Sequence, residues 1–236
     1  VFTGIFVLGG AAYRLFIHKP LVVHSTGYGE IATVWLPDSS KVILNGNSSI
    51  SYSAGWNERS SREVLVKGEA FFRVRHTSDD RKFTVKTSRD FDVEVLGTEF
   101  SVYDREQASR VVLNSGKVQL NFTSAGEWGS VNMLPGELVE LRGTGNYRKR
   151  KVNPSLYSSW IDKKILLENT SFREIKLLLE ETYGLPVAVH DTSLYNERFS
   201  GTVPSENVQV LMKALAISFG LAIEIENNQV LFKPKQ

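Results

Sequence analysis

A Gly-Thr pair, Gly97 and Thr98, stands inside the stretch "DVEVLGTEFSV". Before it the apolar positions are odd: Phe91, Val93 and Val95. After it they are even: Phe100 and Val102. Side chains along a strand alternate between two faces, so a change of parity is a change of face. Glycine reaches backbone conformations closed to other residues. A threonine hydroxyl is a nucleophile once something activates it. The pair therefore poses a choice between chemistry at one bond and geometry alone.

The other reactive side chains are scattered. His18, His24, His76 and His190 share no H-x-H or H-x-x-x-H spacing, so the sequence holds no local metal motif. No metal or cofactor is expected. Asp79, Asp80, Asp90, Asp92, Glu94 and Glu99 crowd one region. Paired carboxylates hydrolyse glycosides when held about 5–10 Å apart. Here Asp92 and Glu94 alternate with apolar residues, and solvation of a strand's outer face explains them. There is no G-x-S-x-G and no P-loop, and no helical pattern follows "GTGN" at 143–146. The absence of cysteine excludes disulfides and thiolate chemistry. Trp35, Trp56, Trp128 and Trp160 could form a sugar platform, which makes a carbohydrate-binding module the alternative to a protein-binding role.

The elements that position these residues divide into two kinds. The chain has 236 residues, 42% hydrophobic and 23% charged, with a net charge of +2. That is enough apolar material for one or two domains, and it gives no global electrostatic case for nucleic acid. From residue 20 to 142 the pattern is all-β. Val118, Leu120 and Phe122 alternate with Lys117, Gln119 and Asn121, and similar short strands follow one another with turn residues between them. Glycines at 46, 68, 97, 116 and 136 each border a strand, which suggests two-strand units stacked or rolled on one another. Residues 143–160, with the run "RKRK" at 148–151, read as a solvated linker.

Beyond the linker the period becomes 3.6. Phe172, Ile175, Leu178 and Leu179 share one helical face behind a capping box made by Ser171 and Glu174. Ser205 reads as the cap of a second helix bearing Val208, Leu211, Met212, Leu215 and Phe219. "ETYGLPVAVH" and "ISFGLAIEIE" align as an internal repeat, so 161–236 is expected to be a small α+β module of βαβ-βαβ-β order. Its exposed sheet edges could accept a partner strand. The candidate edges are Phe199, Ser200, Gly201, Thr202 and Val203, and Gln229, Val230, Leu231 and Phe232.

The opening "VFTGIFVLGGAAY" carries no charge and is followed by Arg14, His18 and Lys19. A spanning helix needs about 20 apolar residues. The segment reads as the end of a transmembrane helix, as a signal-peptide core, or as a buried element of the domain.

Residues 31–142 resemble the periplasmic β-domain of FecR-type anti-sigma factors. "VWLPDSSKVILNGNSSISY", "LVKGEAFFRV", "KFTVKT", "VEVLGTEFSVY", "VLNSGKVQL" and "LPGELVEL" occur in the family's order. Residues 161–236 resemble the family's C-terminal region, which is similar to the STN module of secretins and TonB-dependent receptors; "FSGTVPSENVQVLMKAL" carries that match. The wording looks most like versions from Bacteroidota, whose receptors often import glycans. The resemblance implies a single transmembrane helix, fitting residues 1–19, and a periplasmic region anchored in the inner membrane. It implies a cytoplasmic domain that holds an extracytoplasmic-function (ECF) sigma factor. The implied partner of the periplasmic part is the signalling domain of a TonB-dependent outer-membrane receptor. It also implies proteolysis near the membrane, for which residues 20–30 read as the cleavable segment or as a plain spacer.

Some relatives cut themselves at a Gly-Thr bond in this motif. The Thr hydroxyl attacks the preceding carbonyl, an ester forms, and water opens it. Carried onto this chain, the bond is Gly97–Thr98. The alternative is a β-bulge at Gly97 that turns the strand over.

Overall fold

The structure, a computed structural model, describes residues 20–56, 61–88, 91–124, 127–142, 146–226 and 229–234. The apolar start at 1–19, Asp90 and the turn residues 143–145 and 227–228 lie outside them. The period-2 segments build one curled sheet of thirteen strands. They are β1 (Leu21–Ser25), β2 (Ala32–Trp35), β3 (Lys41–Leu44), β4 (Ser49–Ser53), β5 (Arg62–Arg73), β6 (Phe83–Lys86) and β7 (Phe91–Val95). Then come β8 (Glu99–Asp104), β9 (Ser109–Ser115), β10 (Val118–Ser124), β11 (Glu127–Met133), β12 (Glu137–Arg142) and β13 (Asn146–Lys151).

β5 is the spine of the sheet. Its first part pairs with β4 and β6, and its second part with β3 and β8. Two half-sheets result, β1-β4-β5-β6-β7-β10-β11 and β2-β3-β5-β8-β9-β12-β13. Their inner faces share one core, where Phe72, Phe83, Phe91, Phe100 and Leu120 are fully buried. The ladders are antiparallel apart from β5–β6, which is parallel because the chain crosses back between halves after β5.

This division explains the recurring glycines. Gly46, Gly97, Gly116 and Gly136 lie where the chain passes from one half to the other: β3 to β4, β7 to β8, β9 to β10 and β11 to β12. Gly68 lies inside β5 at the same kind of passage, with φ of +89°. Strand parity survives at Gly68 because β5 continues its ladder through the passage. It flips at Gly97 because the chain leaves the sheet over Leu96–Thr98 and enters the other half. The flip is a corner between half-sheets and not a bulge of one strand. The nearby bulge falls on β9, where Glu99 faces Ser115 but Phe100 faces Leu113, leaving Asn114 extra.

Two segments expected to be connectors are built structure. Residues 21–25 form β1 and pair with β4. The basic run forms β13, paired with β12 along its length. Charge is what an edge strand uses to discourage further pairing, so linker-like composition and an edge strand look alike. A short helix α1 (Ser155–Ser158) and a 3-10 turn (Ser159–Asp162) follow. Trp160 closes over Ile43 and Phe71 on the outer face of the sheet.

The C-terminal module has the expected order: β14 (Lys164–Ser171), α2 (Phe172–Tyr183), β15 (Val187–Val189), β16 (Arg198–Pro204), α3 (Val208–Ser218), β17 (Leu221–Glu226) and β18 (Gln229–Pro234). β14 pairs with β16, and a second sheet runs β15-β18-β17. Each helix touches a strand of both sheets, and Phe172, Ile175, Leu179, Leu211 and Leu215 are fully buried between them. The capping box is present: the Glu174 amide donates to Ser171 Oγ at 3.3 Å, and the Ser171 amide donates to the Glu174 carboxylate at 2.8 Å. Gly184 caps α2 and Gly220 follows the cap of α3, at φ of +66° and +64°. Ser205 does not cap α3. A turn separates it from Asn207, which holds the cap position, and the buried Ser205 hydroxyl finds no partner among the described residues.

Candidate functional site

The Gly97–Thr98 corner is held from three directions. The Thr98 hydroxyl donates to the Lys117 carbonyl at 2.9 Å, and the Thr98 carbonyl accepts from the Val74 amide at 3.0 Å. Arg62 donates to the Leu96 carbonyl at 3.3 Å. Gly97 is required by space: a Cβ there would lie 2.6 Å from the Cβ of His76. Gly116, at φ +90°, packs its Cα side against the Gly97 carbonyl and the Thr98 hydroxyl. Thr98 is buried. The recorded partner of its hydroxyl is a carbonyl, which accepts a hydrogen bond but cannot carry a proton away. The arrangement supports the corner, and among the described residues no base is hydrogen-bonded to the hydroxyl.

The corner opens onto a cavity of about 650 Å³ at the mouth of the curled sheet. Val95, Val118 and Met133 form its floor, and Leu96, Leu134, Lys82 and Glu94 its rim. Lys82 and Glu94 pair at 2.7 Å, so the carboxylate is neutralised on the surface instead of being aimed inward with a second one. Among the described residues no three His, Asp or Glu side chains gather to hold a metal ion. Three of the tryptophans are dispersed. Trp35 is exposed beside Lys41, Trp56 packs against Tyr52 and Phe83, and Trp160 covers Phe71. They form no platform.

Two arginines that sequence reading passed over organise the molecule. Arg62 is buried in the core, ion-paired to Asp38 at 3.1 Å. It donates to the carbonyls of Arg75, Arg81 and Leu96. A signal for it existed: Arg62 falls in the buried phase of β5 with Val64 and Val66. Arg105 is buried at the other end of β8. It donates to the carbonyls of Gly46 at 2.7 Å, Asn47 at 3.2 Å and Glu181 at 3.0 Å. It thereby joins the β-domain to the C-terminal end of α2. No local pattern announces this, because its partners come from two distant segments.

The proposed docking strands part company. β16 ladders only with β14 among the described residues, so Phe199–Val203 keeps one open side. Ser200 and Thr202 are exposed, while Val203 is buried. Gln229, Val230, Leu231 and Phe232 lie on β18, which is the central strand: it pairs with β15 on one side and β17 on the other. Val230 and Phe232 are buried. This second stretch is not an edge.

Residues 22–119 match the family model described as FecR protein, and residues 164–232 match the model described as FecR, C-terminal. The chain belongs to the FecR family. The first FecR match includes the corner and Arg105, and the second takes in the module from β14 into β18. β11 to β13 and α1 fall between them. Two crystal structures, each of a candidate anti-sigma factor from Parabacteroides distasonis, share the fold. One superposes with a TM-score of 0.76 at 23% identity, covering 92% of this chain and 100% of that one. The other gives 0.77 at 22% identity, covering 91% and 100%. No protein of curated function matches the chain. Membership of the FecR family places the chain among regulators of sigma factors. Among the described residues no helix is long and apolar enough to cross a membrane.

Proposed function

We propose that this chain is the periplasmic sensor-relay part of a transmembrane anti-sigma factor. Its partner on this reading is the signalling domain of a TonB-dependent outer-membrane receptor. An inner-membrane helix upstream of β1 links it to a cytoplasmic domain that holds an ECF sigma factor. Receptor docking outside the inner membrane is relayed to release of that factor.

The observation that carries the reading is the open side of β16, in the region that matches the FecR C-terminal model. A strand edge offers backbone donors and acceptors at fixed spacing, and a partner strand uses them for affinity. Exposed Thr202 lies on this edge. A charge there discourages strand addition. In a pull-down with the receptor signalling domain, Thr202→Lys is expected to weaken capture at least tenfold. A chain ending at Asp162 that is captured as well as the full chain would overturn docking through β16, and failure of the signalling domain to capture the full chain would overturn the relay reading.

A further inference from the structure

The joint between the β-domain and the module is built from backbone and buried charge. The last turn of α2 leaves carbonyls without helical partners. The β-domain supplies the donors. Arg105 and the Asn47 side chain donate to the Glu181 carbonyl, at 3.0 and 3.1 Å, and the Gly29 amide donates to the Thr182 carbonyl at 2.8 Å. The guanidinium also sits at the negative end of the helix dipole. Tyr103 donates its hydroxyl to the Glu181 carboxylate. The approach is close enough that a Cβ on Gly46 would lie 2.5 Å from the Thr182 carbonyl, and one on Gly184 2.7 Å from the Tyr28 ring.

The joint and the corner are the two ends of the same strands. β8 begins next to Thr98 and ends at Asp104, beside Arg105. At about 3.3 Å per residue, Thr98 to Arg105 spans roughly 23 Å. β8 is laddered on both sides, to β5 and β9. Its partner β5 runs beside it between the same two places. Glu69 of β5 faces Tyr103 at the joint, and Val74, just past its other end, donates to Thr98 at the corner. A strand held on both edges is stiff along its axis, because stretching or sliding it strains two ladders at once. A displacement of α2 therefore reaches the corner along β8 or is absorbed where Arg105 lets go.

We propose that β8 carries strain from the C-terminal module to the Gly97–Thr98 corner, with Arg105 as the latch that couples them. Movement of α2 pulls on Tyr103 and Arg105, strains β8 against its neighbours β5 and β9, and loosens the Thr98–Val74 and Thr98–Lys117 hydrogen bonds at its far end. The corner then exposes a glycine-flanked peptide bond on the wall of the 650 Å³ cavity. The proposal rests on the docking reading only for what sets the module in motion.

Hydrogen exchange of the full chain, read residue by residue, tests it without a partner. The Val74 amide is the reporter, since its acceptor is the Thr98 carbonyl. In Arg105→Met the expected result is exchange at Val74 accelerated at least tenfold more than at the amides of β6 and β10, which follow only the loss of global stability. An unchanged Val74 amide, with faster exchange confined to 45–48 and 181–184, overturns the coupling. So does equal acceleration everywhere, which would mean loss of the fold. Tyr103→Phe removes a single hydroxyl from the joint and guards against misfolding of the first variant. It must show the same pattern at two- to threefold amplitude, and no change at Val74 overturns the proposal. Failure here leaves the β16 docking experiment intact, and failure of docking leaves this result intact.

Discussion

Arg62 and Arg105 do the same kind of work at opposite ends of β8, and they differ in how completely they are closed. Each gathers backbone carbonyls from segments that the ladders do not reach. Arg62 pairs with Asp38 at 3.1 Å, and the two side chains are 0% and 4% exposed. Its carbonyl partners all belong to the β-domain. Arg105 stands 3.8 Å from the Glu181 carboxylate, which is 18% exposed, and its partners come from both domains. A dry, closed pair is costly to open because each partner is left as an uncompensated buried charge. A pair with water already at the carboxylate loses less. The fold thus has one arginine that fixes the β-domain and one that fixes the module to it less tightly.

The sharpest way to break this comparison is to remove each guanidinium in turn. Arg62→Met strands Asp38 and three carbonyls, and the expected loss is about 4 kcal/mol in urea unfolding followed by far-UV circular dichroism. Arg105→Met strands carbonyls that water can reach in part, and the expected loss is about 2 kcal/mol. Equal losses would erase the distinction between a fixed and a releasable seam.

The corner was legible in the sequence and the joint was not. The parity flip from Val95 to Phe100 located the passage between half-sheets, because alternation is a local property of a strand. The five glycines marked the passages for the same reason. Arg105, Asn47 and Glu181 meet only after the chain has folded, and none of them breaks a local pattern. The edge assignments failed similarly. β16 and β18 look alike as segments, and what makes β18 central is its parallel pairing with β15, far upstream. Charged β13 imitated a linker because solvated edges and solvated loops select the same residues.

A smaller effect is expected at the corner. Thr98→Val keeps the shape and deletes the donor to Lys117, leaving a carbonyl unsatisfied. The expected cost is about 1 kcal/mol by urea unfolding, less than that of either arginine. The same variant bears on the chemical reading of the pair. With its hydroxyl committed to a carbonyl, the parent chain should run as one intact band on a denaturing gel. Fragments 1–97 and 98–236 in the parent, absent from Thr98→Val, would show instead that the bond is cut and the hydroxyl is the nucleophile.

The smallest effect should come from Glu69, which faces Tyr103 at the joint and tests whether the joint carries a hidden charge cost. Burial raises its carboxyl above the ordinary 4.5, against opposing contributions from Arg110, the Asn45 side chain and Arg105. Asn45 donates to it at 2.7 Å. The sign follows from linkage. A carboxyl with a raised value in the folded state adds stability when protonated. That contribution is complete below the unfolded value near 4.5 and is lost as pH rises through the folded value. Glutamine cannot ionise and can still accept from Asn45. Urea midpoints of the parent and Glu69→Gln should therefore converge at acid pH and separate as pH rises, with the variant the more stable at neutrality. Parallel curves would mean that Glu69 is ionised at no cost beside the arginines. The joint would then be as fully compensated as the Arg62–Asp38 seam, and the contrast between the two ends of β8 would rest on exposure alone.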